Sequence, residues 1–158
     1  MRKIFFALCL ILSTLTYSQV ITTFTSDAGS KYVDCNVTTL ISMLKLTSLQ
    51  WETKMIELGA SGRELAENGI SYTFFNKLAS GDGLQFIVKH PSKLVMAWGV
   101  GQNGLTLFDD LIDEIEKNFL GTKDDQLMYG FKHSDNVDYI ILIRRDKKFE
   151  GLTLYKRD

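Results

Sequence analysis

Leu94-Val95-Met96-Ala97-Trp98, then Gly99-Val100-Gly101-Gln102-Asn103-Gly104, then Leu105 through Phe119 is the stretch on which the fold turns. An apolar strand-like run feeds a glycine loop, and an amphipathic segment follows without a gap. Phe108, Leu111, Ile112, Ile115 and Phe119 recur at three- and four-residue spacing, which lines them along one helical stripe. Asp109, Asp110, Asp113, Glu114 and Glu116 fill the opposite side. Thr106 is placed to cap the first turn with Asp109 returning the bond, Lys117 suits the negative end of the helix dipole, and Gly121 suits the stop.

The loop spells G-x-G-x-x-G, the pattern by which a strand hands a pyrophosphate to a helix N-terminus. That chemistry needs a parallel strand-helix repeat around the loop and an acidic residue about twenty positions on. The chain offers neither, so the glycines are read as a tight turn between sheet and helix, and no cofactor is expected.

Outward from this stretch the texture is β on both sides. Upstream, Tyr72 to Leu78, Leu84 to Lys89 and Leu94 to Trp98 are strand-like, with turns at Ser80 to Gly83 and at His90-Pro91-Ser92-Lys93. Downstream, Gln126 to Lys132, Val137 to Arg144 and Phe149 to Lys156 repeat the pattern, with turns at Ser134 to Asn136 and Asp146 to Lys148. Before the first set, Val37 to Leu58 carries helical spacing broken at Thr47-Ser48, which predicts two short helices, the second capped through Glu52 and stopped by Gly59 and Gly62. Arg63 to Asn68 is read as one further helical turn.

The expected architecture is therefore α+β: an antiparallel sheet of about six strands with helices packed on one face. Each half, 37–101 and 104–158, reads helix, strand, strand, strand, which suggests a tandem duplication within one domain, 37–158. In its order of elements, and in no motif, the layout resembles the tandem helix-and-sheet arrangement of β-lactamase-inhibitor proteins.

Arg2 and Lys3 ahead of an apolar run from Ile4 to Leu12, then small polar residues to Ser18, form a signal-peptide layout, 1–18. The run is too short to span a bilayer as a helix, so no stable membrane anchor is expected. Leu8 before Cys9 does not fit a lipidation site. The chain is read as exported, periplasmic or extracellular, with 19–36 a loosely held N-terminal segment. Without residues 1–18, 16 basic against 19 acidic residues leave a net charge of −3, which argues against nucleic acid as a partner. Cys35 is then the sole cysteine, read as a buried small hydrophobe. Asn36-Val37-Thr38 is a formal glycosylation sequon.

Catalytic and metal-binding groups are not expected. His90 and His133 lie beside turns and next to Lys89 and Lys132, with no second ligand at helical spacing. No HExxH and no G-x-S-x-G occurs. The acidic helix face spreads its carboxylates along an axis, whereas calcium needs oxygens converging from a loop.

Binding residues are sought on the sheet instead. Alternation places Tyr72, Phe74, Phe86, Trp98, Tyr129, Phe131, Tyr139 and Tyr155 on one face and Ile87, Val95, Ala97, Gly99, Gly130, Ile140, Leu142, Leu152 and Leu154 on the other. Both are more apolar than a half-solvated sheet requires. Either the aromatic face is the core, with the other face covered by the N-terminal segment or the mate of a homodimer, or the aromatic face is an open binding platform. On the second reading Tyr72, Phe74, Trp98, Tyr129, Phe131, Tyr139 and Tyr155 engage a protein partner. Arg144, Arg145 and Lys147 at a hairpin tip add charge. An exported, non-enzymatic inhibitor or immunity-type protein fits these features. The rival is a carrier of a small apolar ligand held near Trp51, Phe75 and Met96, between helices and sheet.

Overall fold

In a computed structural model of the chain, residues 20–26, 29–66, 69–74, 83–99, 108–134, 136–146 and 148–157 are described, the side chains of 66, 69 and 71–74 excepted. The expected signal peptide lies outside these residues, as do Thr106 and all of the glycine loop after Gly99.

Asn36 opens α1 (Val37–Lys45) by accepting the Thr39 amide on its side chain. Its Nδ2 donates to the Asp34 carboxylate at 2.7 Å and to Thr22 Oγ1 at 3.2 Å. The sequon nitrogen is thus engaged within the fold. Thr47 opens α2 (Ser48–Leu58) with a closed capping box. Its partner is Gln50, three residues on, and not Glu52, which pairs with Arg63 at 2.7 Å. Gly59 ends the helix at φ +92°, a conformation that needs no Cβ. The two expected helices are therefore present, and Leu49 in the first turn of the second faces solvent.

The third helix, α3 (Asp109–Ile115), is shorter than its periodicity predicts and runs into a 3₁₀ turn, Glu116–Asn118. Phe108 stands at its N-cap position without a side-chain cap. Phe108, Leu111 and Ile115 are buried, but Phe119 leaves the stripe because the chain has already turned into a strand.

Eight strands, not six, form the main antiparallel sheet. The two edge strands stand where the sequence predicts helical features. β3 (Gly62–Ala66) replaces the extra turn at Arg63, because its backbone pairs with β4 (Gly69–Phe74) and this outweighs weak strand propensity. β7 (Phe119–Lys123) holds Gly121, which sits at a bulge with φ +135° instead of stopping a helix. Asp124 and Asp125, both at positive φ, make the two-residue turn into β8 (Gln126–Lys132). β5 (Leu84–Lys89), β6 (Lys93–Gly99), β9 (Asp138–Arg145) and β10 (Phe149–Lys156) match the predicted strands.

The strand order β3-β4-β5-β6-β10-β9-β8-β7 sets two four-strand meanders side by side, meeting at β6 and β10. All neighbours are antiparallel, so β6 does not belong to a parallel nucleotide-binding unit.

Helices α1, α2 and α3 cover one face. Leu94, Met96 and Trp98 of β6, Leu152 and Leu154 of β10, and Ile141 and Ile143 of β9 join Leu40, Met43, Trp51, Met55 and Leu111 in one buried cluster. A fully buried tryptophan such as Trp98 removes about 150–250 Å² from water, worth about 4–6 kcal/mol of transfer free energy. The segment expected to be loosely held adds a hairpin of β1 (Thr23–Thr25) and β2 (Lys31–Val33) to this layer. Tyr32 stands edge-on to Trp98 at 4.8 Å and donates its hydroxyl to the Gly83 carbonyl. Gln85 clasps Val33 by accepting its N–H at 2.9 Å and donating to its carbonyl at 2.8 Å.

Candidate functional site

Strand register decides which side chains share the face that no helix covers among the described residues. Phe86 lies beside Ala97, Ala97 beside Gly151, and Gly151 beside Arg144. The next row runs Val88, Val95, Thr153, Leu142, Met128. The third runs Lys93, Tyr155, Ile140, Gly130. None of these residues belongs to the buried cluster on the helix side. Phe86 is 38% exposed, Phe149 40% and Leu120 52%, while Val88, Val95, Ala97, Leu142 and Tyr155 are half-buried. The Phe149 ring folds over Gly151, where an added Cβ would come within 2.9 Å of it. This face is aliphatic and shallow, with Phe86, Tyr155 and Phe149 as its rings.

The two sheet faces thus differ from the alternation proposed for them. Trp98, Tyr129 and Tyr139, named as binding residues, are buried on the helix side, together with Ile87, Leu152 and Leu154, which had been assigned to the opposite face. Phe131 stacks on Tyr139 at 6.0 Å between centroids and packs against the same core. The backbone register puts Tyr72 opposite Ile87 and Phe74 opposite Gln85; their side chains lie outside the described residues. Among the named aromatics whose side chains are described, Phe86 and Tyr155 point to the open side. The reason is a one-residue phase choice. Gln85 and Glu150 occupy core-facing positions flanking Trp98, so polar residues stand where apolar ones mark the phase.

The basic hairpin tip is divided by the same alternation. Arg144 faces the open side and is exposed. Arg145 turns to the helix side, where Nε meets the Glu150 carboxylate at 2.8 Å and Nη2 meets Asp109 of α3 at 2.7 Å. Burial works against the Arg145 charge, but the bonds to Asp109 and Glu150 prevail and hold its pKa above the ordinary value. Glu150 is 1% exposed, so this ion pair ties a helix start to the central strand. Lys147 lies outside the described residues.

Other reactive groups are set for structure. Burial first, then Asp34, Glu150 and Glu114, push the Cys35 thiol well above its usual range, which suppresses the nucleophilic thiolate. Burial, aided by Glu116 and opposed by Arg145, raises the Tyr129 phenol. His90 and His133 donate their backbone N–H groups to the Lys93 and Val137 carbonyls at turns. Trp51 and Met96, named for an apolar-ligand cavity, are fully buried members of the continuous core; Phe75 lies outside the described residues. Among the described residues, no helix is long and apolar enough to cross a membrane.

No protein-family model, no curated protein and no solved structure matches this chain. The likeness to β-lactamase-inhibitor proteins therefore rests on the order of elements alone.

Proposed function

We propose that this chain is an exported, non-enzymatic binding protein, of inhibitor or immunity type, that engages another protein through the uncovered face of its sheet. The observation carrying this reading is the row structure of that face: three adjoining, mainly apolar rows built on Phe86, Ala97, Val88, Val95, Leu142, Met128, Tyr155 and Ile140, over which no helix lies among the described residues. Contiguous apolar surface of this kind is retained where something docks on it. Arg144 and Lys93 at its margins supply the charged rim that such interfaces use for register. The export reading draws on the charged-then-apolar order of residues 1–18, and the non-enzymatic reading on the lack of a nucleophile-and-base motif in the sequence.

The test is site-specific photo-crosslinking in the native host. A photoreactive residue at Phe86 or Ala97 should yield one discrete adduct, whereas the same residue at Lys54 or Glu57 on the solvent side of α2 should yield none. Indistinguishable adduct patterns from the two sets, or none from either, would defeat the proposal.

A further inference from the structure

We infer that two copies of this chain pair through their β3 edges, joining the two sheets into one and setting the outer stripe of each α2 toward the other. Among the described residues, the most exposed large apolar side chains are Leu65 at 77%, Leu49 at 75% and Ile56 at 63%. They gather at one edge of the molecule. On α2, Leu49, Glu52 and Ile56 follow at three- and four-residue spacing and form one stripe, while Trp51, Met55 and Leu58 bury the other side. Glu52 meets Arg63 of β3 at 2.7 Å, so this stripe runs beside the strand. Leu65, two residues beyond Arg63, lies on the same side of β3. An ion pair thus sits among three exposed aliphatic side chains, none of which belongs to the open sheet face.

The backbone of β3 is laid out to receive a strand. It stands last in the sheet order, and its ladder with β4 is regular from Gly62 to Ala66. The opposite edge, β7, is bulged between Phe119 and Gly121 and ends on Lys123, both devices that discourage edge pairing. Ala66 pairs with Gly69 across two residues, so that pair is hydrogen-bonded, and alternation turns the N–H and C=O of Leu65 away from β4. Symmetry then selects the occupant. A twofold axis normal to the sheet runs the two β3 strands antiparallel and keeps both helix layers on one side. Centred on Leu65, that axis lets Leu65 and the partner's Leu65 exchange backbone hydrogen bonds and sets Glu64 opposite the partner's Ala66. Centring on Arg63 or Glu64 would oppose like charges, which disfavours those registers. A foreign strand would cover Leu65 and leave the α2 stripe in water, whereas an identical chain brings its own Leu49 and Ile56 to the seam. One short strand and one helix stripe make a small interface, so the dissociation constant should be micromolar.

The full chain is followed by analytical ultracentrifugation from about 1 to about 300 µM, a range that brackets a micromolar dissociation constant. The mass should rise from that of one chain to that of two. Leu65→Lys and Ile56→Glu should each weaken the dimer at least about tenfold, the scale of an interface anchor, while Phe86→Glu on the open face should leave it unchanged. All three side chains are exposed, so unchanged circular dichroism and melting are expected and certify the variants. Leu65→Cys should form a disulfide between two chains on mild oxidation, because facing residues of a hydrogen-bonded pair stand about 5.5 Å apart at Cα, within disulfide reach. Lys54→Cys on the far side of α2 should not, and the native Cys35 is buried. The pairing is overturned by a single-chain mass at every concentration, or by a dimer that survives Leu65→Lys and Ile56→Glu. A dimer lost in Phe86→Glu would overturn it too, by moving the seam to the open face.

Discussion

Gln85 fastens the N-terminal hairpin to the sheet, and removing its amide is the sharpest perturbation of the fold. Gln85 and Val33 are both fully buried, and two hydrogen bonds of 2.9 and 2.8 Å join the side chain to the N–H and C=O of Val33, 52 residues away. Gln85→Met keeps the length and an apolar fit but leaves both backbone groups without a partner and out of reach of water. Each stranded group costs about 1–3 kcal/mol, so the sum is about 2–6 kcal/mol. A domain of this size has about 5–15 kcal/mol of stability in all, so the variant should fold but lose a large share of its margin. Urea unfolding followed through buried Trp51 and Trp98 should show a lower midpoint at unchanged slope. The Val33 amide, protected in the parent, should exchange much faster in the variant. A loss below about 1 kcal/mol, or a Val33 amide that stays protected, would refute the clasp.

The two arginines at the hairpin end should separate cleanly. Arg145→Met strands the Glu150 carboxylate and should cost about 3 kcal/mol, the low end for a buried charge deprived of its partner, because Arg145 is itself partly solvated. Arg144→Met should stay within about 0.5 kcal/mol; equal losses by denaturant titration would count against the assigned alternation. Cys35 sets a pH dependence. Its folded pKa lies above its unfolded value, so the unfolded chain ionises first as pH rises. Stability should then fall by up to about 1.4 kcal/mol per pH unit above roughly pH 9, relative to Cys35→Ala, and not change between the two at neutral pH. Parallel pH curves for parent and variant would contradict it. Gly83→Ala should be severely destabilising, since a Cβ there overlaps the Gly99 carbonyl oxygen and the Trp98 ring; a melting temperature within a degree or two of the parent's would show that strand ends shift to make room.

Local features were legible because local chemistry determines them. The helix break at Thr47, the αL stop at Gly59 and the β9–β10 hairpin each depend on a few adjacent residues. The edge strands were not. β3 carries Arg63, Glu64 and an exposed Leu65, so no apolar alternation marks it; only pairing with β4 makes it a strand. β7 was hidden by the helical period running up to Phe119 and by a turn built from Asp124-Asp125, where glycine or asparagine is the usual sign of positive φ.

The candidate surface failed to read out for a more instructive reason. Leu84-Gln85-Phe86-Ile87-Val88-Lys89 is apolar at both phases, so its facing is decided by the one polar residue that finds buried partners, Gln85. Glu150 makes the same choice for β10 through Arg145, and Arg145 in turn reaches Asp109 of α3. Two buried polar side chains therefore orient the central strands, and the aromatic residues follow: Trp98 inward, Phe86 outward. Had the phase been set by aromatic content, Phe86 and Tyr155 would lie in the core and the open face would be bare of rings. Because polar partnership outranks ring content here, the face left open among the described residues is the mainly aliphatic one.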